Sequence, residues 1–120
     1  MRFSTLAYVA GGLVAAAALP ASAHHGWAGQ DNAKVTVLEG SIKDVRYRNP
    51  HGEIDIVGAD KQLWHVTLAP IQRMSSRGLT EDKLKVGQTV KIEGHRNLDL
   101  PRYEVKANSI SIAGKTTELR

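Results

Sequence analysis

The chain has 120 residues, with 16 Lys and Arg against 12 Asp and Glu, a formal net charge of +4 and no cysteine. This length suits one domain with one core, and the lack of cysteine excludes disulfides and thiol redox chemistry. The charge favours solubility, but it is not the concentrated basic patch typical of nucleic-acid or membrane binding. We therefore expect no nucleic-acid partner.

Residues 1–23 have the pattern of a secretory signal peptide. Arg2 is their only charged residue, residues 6–19 are almost wholly Ala, Val, Leu and Gly, and Pro20 precedes the small residues 21–23. Small residues at alternate positions fit a signal peptidase, and the apolar part falls short of the roughly 20 residues needed to span a bilayer. We predict cleavage after Ala23, no stable membrane anchor after cleavage, and a periplasmic or secreted location.

Residues 35–49 predict one long, bent strand. Their apolar residues alternate in two phases that change around Gly40, as in a bulged strand. The following NPHG, residues 49–52, contains residues typical of tight turns. Residues 53–58 then alternate again, with Ile54 and Ile56 on one face, so the two segments form a hairpin.

A third strand and a short helix follow. In residues 63–69, Trp64 shares one face with the alternate apolar residues, while His65 lies on the other face. Pro70 suits the first turn of a helix, and Gly78 stands where the helix would end. The sequence therefore predicts a helix between the third strand and the next.

Two more strands complete the predicted domain, with Val90 and Ile92 inward in the first. In the second, the inward residues are predicted to be Tyr103, Val105, Ile110 and Ile112. Three strands, a helix and two strands are the element order of an OB barrel. We predict an all-β fold with one short helix, a small five-stranded OB-like Greek-key β-barrel. Its predicted boundaries are a mature N-terminal segment over 24–34, the barrel domain over 35–114 and a flexible tail over 115–120.

Four motifs stand out along the chain: AHHGW at the predicted cleavage site, NPHG after the first strand, WHVTLAP in the third, and RGLTEDKLKVGQTVKIEGH after the helix. In this combination the chain resembles a group of small, uncharacterised exported bacterial proteins, classed as a domain of unknown function. The resemblance covers essentially the whole chain from His24 onwards. It implies an exported, compact β-domain and implies no activity, so the function has to be argued from the residues.

The histidines give the main functional lead. Cleavage after Ala23 would give His24 a free α-amine beside its imidazole, and these two donors with one more imidazole form a T-shaped site of three nitrogens, a histidine brace. Cu(II) prefers such a planar set of nitrogens, with zinc the second choice. His25 offers an alternative ligand, and His51 in the first hairpin turn or His65 on the third strand could supply the distal imidazole.

Other interpretations stay open for each histidine. The terminal pair can serve only to keep the cleavage site polar, His51 can be a turn residue, and His65 a half-buried strand residue. For His95, a solvated position beside Lys91 and Glu93 is favoured over metal ligation, because spacing alone rarely identifies a ligand.

The alternative function is a non-catalytic OB-like module. Such barrels bind oligosaccharides, small ligands or protein partners on the face of strands two and three, which here includes Asp55, His65 and Thr67. A partner would then be another cell-envelope protein or a small ligand, and the histidines would be incidental. We expect no enzyme activity, because no nucleophile elbow or metalloprotease helix is present and carboxylates beside histidines on strands are usually surface salt pairs.

Overall fold

Five strands close into a barrel in the computed structural model, which describes residues 29–120. Along the chain the elements are β1 (Thr36–Arg46), β2 (Glu53–Gly58), β3 (Leu63–Thr67), α1 (Ile71–Ser76), a 3₁₀ helix (Glu81–Lys83), β4 (Thr89–Arg96), β5 (Glu104–Ile112) and β6 (Lys115–Glu118). The strand order is β3-β2-β1-β4-β5-β6, and a parallel pairing of β3 with β5 closes the barrel. The predicted five-stranded OB-like barrel is confirmed, with one strand added.

The interior is filled by the inward residues of alternating strands. Ile54 and Ile56 of β2, and Val66 of β3, are fully buried as the alternation predicts, while their neighbours point outward. The buried apolar residues form one cluster, which consists of Ile42, Ile54, Ile56, Trp64, Val66, Leu68, Ala69, Met74, Leu79, Leu84, Val90, Ile92, Val105, Ala107, Ile110 and Leu119. Burial of this set is the main stabilising contribution to the barrel.

The long first strand bends two residues later than the sequence predicts. The register of β1 against β2 shifts between Ile42 and Asp44 rather than around Gly40. Gly40 has a different role, because a β-carbon there would lie 2.3 Å from the carbonyl oxygen of Val57. The glycine permits close approach of β1 and β2, and the bulge after it places Arg46 opposite Glu53, on the outer face of the barrel.

The predicted helix is present as α1. It begins after Pro70, buries Met74 under the barrel and ends before Gly78, whose φ of +86° suits glycine. Of the helices in residues 29–120, none is long and apolar enough to cross a membrane.

The C-terminal residues are not the flexible tail that the sequence predicts. Residues 115–118 form β6, which pairs with the second half of β5, and the next residue, Leu119, is fully buried. The reason lies in the barrel closure: β3 pairs only with residues 104–106 of β5, which leaves the rest of that edge open. An open strand edge carries unpaired backbone groups, and β6 covers them.

The β5–β6 turn offers a test of this arrangement. Its two central residues, Ala113 and Gly114, have φ of +49° and +80°, as in a type I′ turn, which favours Asn followed by Gly. We expect Ala113→Asn to raise the free energy of unfolding by about 0.5–1 kcal/mol, since alanine is strained at positive φ. Urea unfolding would measure the change. Gly114→Ala should have the opposite effect, and equal stability of all three proteins would argue against the turn.

Candidate functional site

A group of polar side chains lies on the outer face of β1, β2 and β3, around one arginine. We call it the outer-face cluster, and it consists of Arg46, His51, Glu53, Asp55 and His65. The Arg46 guanidinium donates two hydrogen bonds to the Asp55 carboxylate, at 3.0 and 3.1 Å, and one from Nε to Glu53 Oε2 at 3.2 Å. It also pairs with the more exposed Asp44. Arg46 therefore holds three carboxylates together on this face.

His65 is oriented by Asp55. The two residues are paired across β2 and β3, and His65 Nδ1 lies 2.9 Å from Asp55 Oδ1. Arg46 Nη2 also lies 2.9 Å from that Nδ1. A protonated Nδ1 would donate to the Asp55 carboxylate, and an unprotonated Nδ1 would accept from the Arg46 guanidinium, so the two neighbours favour opposite tautomers. In the tautomer with the proton on Nδ1, the other ring nitrogen, Nε2, keeps its lone pair for a ligand.

His51 approaches the same part of the cluster from the β1–β2 turn. Its Nδ1 lies 3.5 Å from Glu53 Oε1, and His65 Nε2 lies 3.6 Å from that same oxygen. His51 Nδ1 is buried and has no hydrogen-bond partner among residues 29–120. Two imidazoles thus converge on one carboxylate oxygen, and a buried ring nitrogen is left without a partner.

The cluster carries an excess of negative charge. Arg46 faces the two carboxylates of the cluster and the neighbouring Asp44, so with neutral histidines these four charged side chains sum to two negative charges. The hydrogen bonds from Arg46 lower the pKa of Asp55, with a smaller contribution from His65, although partial burial opposes the shift. Hydrogen bonding to Asp55 likewise raises the pKa of Arg46. Asp55 therefore stays ionised at neutral pH, and a cation is favoured beside the histidines.

The structure brings two of the four predicted metal ligands together. His51 and His65 meet at Glu53, whereas His24 and His25 lie outside the described residues, as does the neighbouring Trp27.

His95 is not the solvated neighbour that the sequence suggests. Its Nδ1 lies 2.9 Å from the carbonyl oxygens of Asp31 and Lys34, and its Nε2 lies 3.1 Å from Asn108 Nδ2. These contacts tie the N-terminal segment to β4 and β5, so His95 has a structural role.

The N-terminal segment reaches the barrel on the same side as the cluster. The carbonyl of Gly29 accepts a hydrogen bond from Leu98 N at 2.8 Å, and Gln30 pairs with Asn97 at the end of β4. Asn97 N in turn donates to Glu104, the β5 residue paired with His65. The path from Gln30 through Asn97 and Glu104 to His65 therefore crosses three strand-to-strand spacings, about 14 Å in total.

The described residues do not form a metal site by themselves. Within residues 29–120 no group of three His, Asp or Glu is arranged to hold a metal ion. The reason is Arg46, which already engages Glu53 and Asp55 and leaves the two imidazoles as available donors. The donor types fit copper or zinc, but at least one further ligand has to come from elsewhere.

Sequence reasoning missed the centre of the cluster. Arg46 carries no motif, and carboxylates beside histidines on strands are expected to be ordinary surface pairs. The signal that the sequence does contain is the strand register, because the four-residue connection between β2 and β3 sets Asp55 opposite His65. The bulge that sets Arg46 opposite Glu53 could not be located from the sequence to within two residues.

Fold and cluster together define a class of protein, a small OB-like barrel with histidines and carboxylates on its outer face. Within that class, the chain belongs to a family of unknown function, DUF6152, whose model matches residues 11–104. The matched region includes the whole outer-face cluster. No curated protein matches the chain.

Proposed function

We propose that this protein is exported and binds one metal ion, copper in preference to zinc, through the α-amine and imidazole of His24 at the mature N-terminus. His25 assists, and His51 or His65 supplies the distal imidazole. The observation that carries the proposal is the convergence of His51 Nδ1 and His65 Nε2 on one oxygen of Glu53, at 3.5 and 3.6 Å. Two imidazole nitrogens thus lie on one part of the outer face beside ionised carboxylates, where a cation is favoured and either imidazole can serve as the distal ligand.

His65 favours the role of distal ligand because of its partner. Histidines that bind metals usually donate their other ring N–H to a carboxylate, which fixes the ring and raises its basicity. The Nδ1 contact of His65 with Asp55 has this form, and it directs Nε2 away from Asp55 toward Glu53. His51 has no such carboxylate on its second nitrogen among the described contacts, so we rank it second.

The chain is long enough for the terminus to reach this place. Residues 24–30 can extend about 20 Å at about 3.3 Å per residue, and three strand spacings, about 14 Å, separate Gln30 from His65. Because the α-amine titrates near 8 in model peptides, metal has to displace a proton to bind it. Copper affinity is therefore expected to fall as the pH is lowered.

The decisive test is a titration of Cu(II) and Zn(II) into protein that begins at His24, beside protein with one Gly ahead of His24. The extension moves the amine away from the imidazole, so it should weaken one-to-one Cu(II) binding by about tenfold or more. His65→Gln and His51→Gln, measured separately, identify the distal ligand. Binding that is weak and equal in the extended and unextended proteins, or unaffected by both histidine changes, would reject this site and favour a ligand on the barrel face.

A further inference from the structure

A cleft at the α1 end of the barrel is lined by none of the residues of the outer-face cluster. It has a volume of about 370 Å³ and lies between the segment after α1 and the β5–β6 hairpin. We call it the lysine cleft, since Lys83, Lys85 and Lys115 line it. Their side chains are exposed, and Lys115 Nζ would lie 4.0 Å from a β-carbon placed on Gly78 across the cleft.

The positive charge of the cleft is not neutralised by ion pairs. No salt bridge involves these lysines within the described part of the chain, and residues 1–28 contain no Asp or Glu. Asp82 is the one carboxylate on the lining, and its carboxylate accepts a hydrogen bond from the Thr80 hydroxyl. Three ammonium groups against one carboxylate leave a net charge of two positive, so an anion is favoured in the cleft.

The inner part of the lining contains apolar side chains. Leu79 is buried beside the polar Thr117, and the partly buried Ile112 packs against the core from the edge of the cleft. Within residues 29–120 no aromatic side chain lines the cleft, so this part of the chain gives it no stacking surface of the kind that single-stranded nucleic acids need. An apolar floor below a rim of lysines matches a molecule with an anionic head and an apolar body, and the volume falls within the range of small-molecule sites.

We propose that the lysine cleft binds an amphiphilic carboxylate, with the head group at the three lysines and a short alkyl chain against Leu79 and Ile112. The proposal is independent of metal binding, because it uses no residue of the outer-face cluster. Lysine suits this role because it acts as a point charge on a flexible stem, which can also cover part of the alkyl chain.

The test is a calorimetric titration of the protein with decanoate, kept below its micellar concentration, and with acetate and 1-decanol as partial probes. We expect saturable one-to-one binding of decanoate, at least tenfold tighter than that of either partial probe. Acetate that binds as tightly as decanoate would overturn the role of the apolar floor, and decanol that binds as tightly would overturn the role of the lysines. A lack of saturable decanoate binding would overturn the proposal altogether.

A matched pair of triple variants locates the site. Changing Lys83, Lys85 and Lys115 to Gln should weaken decanoate binding about tenfold, since each exposed charge contributes a small share. The control changes Lys34, Lys43 and Lys91 to Gln, which removes the same charge from exposed positions outside the cleft. All six positions are on the surface, so both proteins should fold. Equal affinity of the two triple variants would place the binding elsewhere and overturn the assignment.

Discussion

Leu119→Ala is expected to lower the free energy of unfolding by about 3 kcal/mol, within the range for a buried leucine that leaves a cavity. Leu119 has no exposed surface and belongs to the main core cluster. Its backbone N donates to Asn108 O at 2.7 Å, and its carbonyl accepts from Arg73 Nη1 at 3.1 Å. The residue is thus fixed to β5 on one side and to α1 on the other, and little can move to fill the space of the lost side chain.

The measurement is urea unfolding of the variant and of Glu118→Ala as its neighbour control. Glu118 is exposed and contributes only backbone contacts, including the carbonyl that accepts from Arg77, so its change should be within about 0.5 kcal/mol. If Leu119→Ala has the same free energy of unfolding as the original protein, the C-terminus does not pack as described and β6 does not stabilise the barrel.

The parts of the fold that follow local alternation could be predicted from the sequence. Ile54 and Ile56 share a face because side chains on a strand alternate with period two, and a buried face leaves no freedom of register. Pro70 and Gly78 mark the ends of the helical region through their own backbone preferences. Together these signals predict the order of strands and helix, and that order selects the OB barrel.

The parts that depend on distant contacts could not be predicted. Residues 115–120 have little apolar content, and β6 forms because β3 leaves half of the β5 edge open, a consequence of barrel closure. The bulge after Ile42 likewise depends on how β1 turns from one partner strand to the other. Neither feature has a local signal, so the sequence predicted a flexible tail in one place and a bend at Gly40 in the other.

For the candidate site, the sequence predicts the ligand residues but not how they meet. It marks His51 and His65 as candidate ligands, but their convergence on Glu53 depends on the register of β1, β2 and β3 together. No motif marks Arg46 as a site residue, although its ion pairs with Glu53 and Asp55 determine which carboxylate oxygens remain for a metal ion.

Asp55→Asn is expected to weaken copper binding by about 10–100-fold, the usual effect of removing the partner of a metal-binding histidine. The Asp55 carboxylate lies 2.9 Å from His65 Nδ1, where it favours the tautomer protonated at Nδ1, and it offsets the charge of Arg46. An amide keeps the shape of the side chain but carries no charge, so His65 becomes a poorer donor and the cluster repels a cation more strongly. The measurement is a competition titration with a copper chelator of known affinity.

Asp44→Asn is the matched control for this change. Asp44 also pairs with Arg46, but it makes no contact with His65 among the described interactions, and its side chain is 56% exposed. Both variants remove one negative charge from the same arginine, so a general electrostatic effect would weaken copper binding equally in both. We expect Asp44→Asn to change the affinity by no more than about twofold. Equal losses in the two variants would contradict the role of Asp55 as the partner of His65.

Unfolding of Asp55→Asn without metal tests the role of Asp55 in folding apart from its role in metal binding. The pKa of Asp55 is lower in the folded protein than its ordinary value of 3.8, so the ionised group contributes stability that is fully present above that value. The contribution is lost as the pH falls through the lowered pKa of the folded state. Urea unfolding without metal should therefore show Asp55→Asn less stable than the original protein at about pH 6, with a difference that shrinks as the pH is lowered below 3.8. A stability difference that stays constant between these pH values would mean that the carboxylate charge does not stabilise the fold.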